Sequence, residues 1–145
     1  MNRQRYPLIS LLMILSLTAA AEGDGFVVVK PGDIQWREAP NMPGLSGTIL
    51  AGDPSKPGPY VLRGRFAPGF INPPHRHDQD RFVVVISGTW YVGRGEKLDL
   101  DAMEALPPGS FMKHPAGGAH YDGAKDGEVI VQISGVGPVA TEYIK

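Results

Sequence analysis

Glycine and proline punctuate this chain so densely that long helices have almost nowhere to form. Of its 145 residues, 19 are glycine and 14 are proline, and beyond the first 21 residues few stretches of ten escape both. Inside a helix, proline costs about 3 kcal/mol and glycine about 1 kcal/mol relative to alanine. Between the breakers lie short runs of β-branched and aromatic residues. Phe26–Val29, Gly47–Ala51, Tyr60–Phe66, Phe82–Ile86, Thr89–Val92, Phe111–His114 and Glu128–Ser134 are each predicted as a strand. Their spacing is that of an all-β sandwich or barrel. Pro54–Pro59 and Gly93–Met103 read as loops, with a helical turn over Asp99–Ala105.

The N-terminus reads as an address. Arg3 and Arg5 make a short positive region, Leu8–Leu17 is apolar apart from Ser10 and Ser16, and small residues Thr18–Ala21 precede the polar Glu22. That is the three-part pattern of a secretory signal, with cleavage after Ala21 or Ala20. An apolar core of this length falls well short of the roughly 20 residues that span a bilayer. The expectation is a signal peptide over 1–21, one domain over 22–145, export to the periplasm or medium, and no membrane insertion once the signal is removed. Without Arg3 and Arg5, 12 basic residues stand against 15 acidic ones. No basic block remains, so nucleic acid is not an expected partner. There is no cysteine, which excludes disulfides, thiolate metal sites and cysteine nucleophiles. Any metal must take nitrogen or oxygen ligands.

Three of the four histidines fall into two spaced motifs. The first runs Gly69-Phe-Ile-Asn-Pro-Pro-His75-Arg-His77-Asp-Gln-Asp-Arg81 and on to Gly88. On a strand, residues i and i+2 share a face, so His75 and His77 aim together. Two imidazoles so placed can each put a nitrogen about 2.0–2.1 Å from one ion. Pro73 and Pro74 stiffen the approach. The second motif is Gly109-Ser-Phe-Met-Lys-His-Pro-Ala-Gly-Gly-Ala-His120. Its Pro-Ala-Gly-Gly segment is a tight turn that delivers His120 to the start of the next strand as a third ligand.

Gly-x5-His-x-His with Arg81 and Gly88 following resembles the first cupin motif, and Gly109-x5-Pro-x-Gly-x2-His resembles the second. The resemblance covers roughly residues 60–137 and is nearest to small single-domain cupins, including those akin to the cupin half of anti-sigma regulators. It implies a jelly-roll β-barrel of six to eight strands with a metal at its centre. It also allows a homodimer paired through an edge strand, and it does not imply one activity. Two positions depart from the family pattern: Arg81 stands where cupins carry Glu, and Ala124 where they carry Asn. The missing carboxylate leaves three readings, in order of preference. The site is three-histidine with open positions; or Asp80 swings in as an oxygen ligand at a bulge; or metal binding is lost and a polar pocket remains. The first two explain better why three histidines would share a barrel interior.

If alternation runs unbroken from His77, Arg81 faces inward and repels a bare cation in a low-dielectric site. An anionic small molecule bridging metal and guanidinium would reverse that. The competing reading pairs Arg81 with Asp78 or Asp80 at the barrel mouth. Tyr121 and Asp122 follow His120 and are candidates for proton transfer or for orienting an imidazole. His114 and Gln132 are candidates for ligand contact, Trp36 and Trp90 for pocket walls. Arg63 and Arg65 share a face that is either interior and anion-binding or solvated. Imidazole ligands suit iron or zinc first, then copper or nickel. Two classes of function follow: a metal-dependent dioxygenase or lyase on a small oxygenated molecule, resembling the three-histidine dioxygenase cupins, or a non-catalytic module that captures a small molecule or metal.

Overall fold

The computed structural model describes residues 25–145, so the signal read over 1–21 lies outside them. Eleven strands follow a 3₁₀ turn at Pro31–Asp33: β1 (Arg37–Glu38), β2 (Leu45–Ala51), β3 (Gly58–Phe66), β4 (Ile71–His77), β5 (Arg81–Ser87), β6 (Trp90–Arg94), β7 (Glu104–Leu106), β8 (Phe111–His114), β9 (His120–Gly123), β10 (Val129–Gly137) and β11 (Thr141–Tyr143). They form two antiparallel sheets, one of six strands in the order β1-β2-β3-β10-β5-β8 and one of five in the order β11-β4-β9-β6-β7. This is the all-β architecture that the glycine and proline punctuation predicts, in the jelly-roll form that the cupin resemblance implies. Among the described residues no helix is long and apolar enough to cross a membrane.

Alternation decides what each sheet turns inward. On β5, Val83 and Val85 are buried while Phe82, Val84 and Ile86 are exposed. On β10, Val129 and Val131 are fully buried. With Phe66, Trp90, Val92 and Ala124 they make one apolar cluster between the sheets. Each fully buried aliphatic side chain contributes about 1.5–3 kcal/mol, so this cluster anchors the fold. Two glycines shape the hairpins. Gly88 turns β5 into β6 at φ 75°, a left-handed backbone that glycine adopts without strain. Gly93 lets the ring of Tyr121 lie against the strand, where a Cβ would overlap it.

Two predicted elements differ. Phe26–Val29 joins neither sheet, and Val27 and Val28 are 66% and 81% exposed; its β-branched composition gives it strand propensity, which tertiary pairing does not take up here. Asp99–Ala105 is not helical. The Asp99 carboxylate instead accepts hydrogen bonds from the backbone N–H groups of Asp101 and Ala102 (3.0 and 3.2 Å), closing a turn ahead of β7.

Candidate metal centre

Proline places the first two histidines. Pro73 and Pro74 have no N–H to give the β4–β9 ladder, and the register slips between Asn72 and His75. Beyond the slip, His75 stands directly opposite His120. On its other side β4 pairs with β11, which sets Thr141 opposite His77 and Tyr143 opposite His75. Strand β5 pairs with β8 so that Arg81 lies opposite His114. Four histidines from three strands therefore meet at one end of the space between the sheets, all of them buried.

His75, His77 and His120 each offer a ring nitrogen within 4.8 Å of the others. Their outer nitrogens are tied down. His75 Nδ1 donates to Pro73 O (2.7 Å) and His120 Nδ1 to Gly118 O (2.9 Å), which turns both Nε2 lone pairs inward. His120 Nε2 is buried without a hydrogen-bonding partner. His75 Nε2 has only a long contact, 3.4 Å, with the Asn72 amide. Burial drives the imidazoles towards neutrality: His77 and His114 are pushed down to about 2 and His120 to about 4, with neighbouring imidazoles and the Arg81 cation adding to burial. His75 is lowered for the same first reason. Neutral rings with converging lone pairs are what a divalent transition metal needs. The donor set fits such an ion.

Two groups qualify that fit. Asp122, two residues after His120 and on the same face of β9, brings Oδ2 to 3.9 Å from His75 Nε2 and 3.8 Å from His120 Nε2. A carboxylate missing at position 81 is thus present at position 122. Burial raises its pKa to about 7, against the pull of Arg81, Asn72 and Trp90. Arg81 points inward, and its Nη1 lies 2.7 Å from His77 Nε2 and 3.2 Å from His77 Nδ1. It pairs with neither Asp78 nor Asp80. Asp78 accepts from Ala140 N (2.7 Å), and Asp80 is held by Lys113 Nζ (2.7 Å) and Ala116 N (2.8 Å).

The remaining candidates divide. His114 packs against His120 in a tilted arrangement with ring centroids 3.7 Å apart, and its Nε2 is buried without a partner. Asp80, the fallback oxygen ligand, lies instead at the exposed rim with Lys113, because the strand begins at Arg81 and leaves Asp80 in the preceding turn. Tyr121 alternates to the far side of β9, where its hydroxyl donates to Asp99 O (3.1 Å). Gln132 is not part of the cavity wall, since Val131 and Ile133 on either side of it take the inward positions; its Oε1 accepts from Nε of Arg63 (3.2 Å), a residue that does border the cavity. Arg65 stacks over Trp36 at 4.8 Å. Trp90 does line the cavity. Asn72, Thr141 and Tyr143 belong to the site without having been singled out: Thr141 Oγ1 lies 3.0 Å from His77 Nδ1, and the Tyr143 hydroxyl donates to Asn72 Oδ1 (3.3 Å). The histidines close one end of a cavity of about 410 Å³, whose other walls include Leu45, Leu62, Val83 and Ile133.

Solved structures share this architecture. KdgF from Halomonas sp. is 18% identical with a TM-score of 0.59, over 77% of this chain and 93% of that one. The polyketide cyclase RemF from Streptomyces resistomycificus is 17% identical with a TM-score of 0.63, over 83% and 87%. The DMSP lyase DddQ from Ruegeria pomeroyi DSS-3 is 16% identical with a TM-score of 0.61, over 83% and 72%. At these identities the likeness is one of fold. No curated protein matches the chain. A family model described as a domain of unknown function, DUF4437, matches residues 27–137, and the chain therefore belongs to the DUF4437 family, built on the cupin fold.

Proposed function

We propose that the chain is an exported, metal-dependent cupin enzyme of the lyase type, acting on a small oxygenated anion through a metal held by His75, His77 and His120. The observation that carries this reading is the convergence of three neutral imidazoles, one of them with an unpartnered Nε2, at the closed end of a ligand-sized cavity. A zinc or iron ion bound there supplies a Lewis acid that polarises a substrate oxygen. The protein's own residues do the rest. The backbone acceptors Pro73 O and Gly118 O fix the tautomers of His75 and His120. Arg81 neutralises the substrate's charge. Asp122, the carboxylate nearest the histidines, is positioned to take up a proton from the substrate and return it.

Lyase-type proton transfer is favoured over dioxygen chemistry because Asp122 adds a carboxyl group beside the histidines. Similarity in fold to a DMSP lyase and a polyketide cyclase is compatible with it. Export is supported by Arg3, Arg5 and the apolar run Leu8–Leu17.

The test is metal analysis of protein purified without a histidine tag, before and after chelation, followed by assay of zinc-loaded and iron-loaded protein on small hydroxy and keto acids. About one equivalent of metal per chain is expected, lost in His120→Ala, with turnover that consumes no oxygen. Oxygen uptake during turnover would move the activity to the dioxygenase class. Ligand binding without turnover by either loaded form would make the protein a capture module. Failure to bind either metal removes the proposal.

A further inference from the structure

The lone pair that His77 would give to a metal is already in use. His77 Nδ1 lies 3.0 Å from Thr141 Oγ1 and 3.2 Å from Arg81 Nη1, and the ring's shortest contact is that of Nε2 with Arg81 Nη1, at 2.7 Å. A guanidinium has five donors and no acceptor, so this contact is an N–H donated to His77. A metal about 2.0–2.1 Å from Nε2 needs the same lone pair and is repelled by the same cation. Metal at His77 and Arg81 at His77 exclude each other.

Arg81 has nowhere neutral to retreat. Its Nε is buried without a partner, and among the described residues no carboxylate lies within ion-pairing distance of it. Asp78 and Asp80, its nearest acidic neighbours in the chain, are committed to Ala140 N, Ala116 N and Lys113. Asp122 acts on the Arg81 charge from within the same cavity but forms no ion pair with it, so an anion that entered the cavity would supply the direct partner that the guanidinium lacks. The cavity also states what the rest of that anion should be. Away from the histidines its lining carries Leu45, Leu62, Phe66 and Ile133, beside the charged Arg37, Glu38 and Arg63.

We propose that Arg81 is a latch that couples metal binding to the binding of a small carboxylate with an apolar body. The carboxylate takes the guanidinium in a bidentate pair and draws it off His77, which frees Nε2 for the metal. By linkage, each ligand then strengthens the other by the same factor. The inference rests on the three-histidine metal reading above and adds to it the ligand class and an order: tight metal binding waits for the carboxylate.

Calorimetric titration of zinc into metal-free protein, with and without saturating benzoate, tests this. Benzamide, which has the same shape and no charge, is the control. In the wild type, benzoate should tighten zinc binding by roughly 5–150-fold, the usual range for coupled sites, and benzamide should leave it unchanged. Arg81→Met should bind zinc more tightly than the wild type without any anion and should lose the benzoate effect. Equal zinc affinity with benzoate, benzamide and buffer in the wild type overturns the latch, whatever the variant does. If zinc still binds under that condition and is lost in His120→Ala, the metal centre stands and only the coupling falls. If zinc binds under no condition, both readings fall together.

Discussion

The two ends of the space between the sheets are built on opposite principles. At one end Val83, Val85, Val92, Val129 and Val131 pack with Ala124 and part of Trp90, without a charged group among them. At the other, four imidazoles, a carboxylate and a guanidinium crowd together, and His114 Nε2, His120 Nε2, Asp122 Oδ1 and Arg81 Nε are buried unsatisfied. An unpartnered buried polar group costs about 1–3 kcal/mol, so the polar end is tolerated only because the apolar end holds the sheets together. Buried polar groups left without partners in a native fold call for a reason, and a catalytic role or a bound ion is among those that serve. The division of labour between the ends can be broken or sharpened from either side.

Acid should produce the largest effect, because only the polar end titrates. In metal-free protein His77, His114 and His120 have folded pKa values of about 2, 2 and 4 against 6.5 when unfolded. Below pH 6.5 the unfolded chain binds protons that the folded chain refuses, so the stability these groups contribute is lost as pH falls. Asp122 works the other way. Its folded value of about 7 gives stability at low pH that fades as pH rises from 3.8 to 7. Three protons outweigh one, and the shift in His75 adds to the three. Urea melts of chelated protein should lose on the order of 3 kcal/mol between pH 6.5 and pH 5. A flat profile over that window would mean that the imidazoles are not held neutral, and the contrast between the ends would dissolve.

A matched pair of substitutions comes next. Val131→Ala removes buried methyl groups from the apolar end and should cost about 2 kcal/mol, with zinc affinity unchanged. His114→Leu removes an unpartnered nitrogen from the polar end and should cost less than about 1 kcal/mol in metal-free protein, or stabilise it. Thermal melts of both variants under chelation compare them directly. If His114→Leu proves the more damaging, His114 is a structural group and not part of the ligand end.

Much of this contrast was legible in the sequence, and the rest was not for identifiable reasons. The β-branched run Phe82–Ile86 announced the strand β5, and the His-x-His spacing announced two ligands on one face. The i+2 step from His120 to Asp122 is there to be read as well, but the sequence reading makes Asp122 only a candidate for proton transfer or for orienting an imidazole, and Asp80 the fallback oxygen ligand. Thr141 and Tyr143 were hidden because β11 returns from the far end of the chain to pair with β4, and no local pattern encodes that return. The position of Asp80 depended on where β5 begins. A start at Arg81 leaves Asp80 in the turn and carries Arg81 inward, and boundaries of one residue are the least secure part of a sequence reading. Arg81 turns inward as the first residue of β5, two before Val83, and not by unbroken alternation from His77, because residues 78–80 form a turn; that Asp122 acts on its charge without pairing with it is a property of the folded surroundings.

Gln132 gives the smallest and most discriminating case. A polar residue in the run Val129-Ile-Val-Gln-Ile133 invites the reading that it faces the cavity as a ligand contact. Yet a strand with Val131 and Ile133 turned inward leaves Gln132 out of the cavity wall, and there it meets Arg63. A hydrogen bond to a charged group is worth about 1.5–3 kcal/mol, and a half-buried one such as this lies at the low end, about 1.5 kcal/mol. Gln132→Ala should therefore lower stability by no more than that and leave zinc titrations unchanged with or without benzoate. A loss of coupling in this variant would place a route to the site through Arg63, which borders the cavity where Gln132 does not. Position 132 thus separates polarity within an apolar strand, which only suggests a site, from the face of the strand, which decides it.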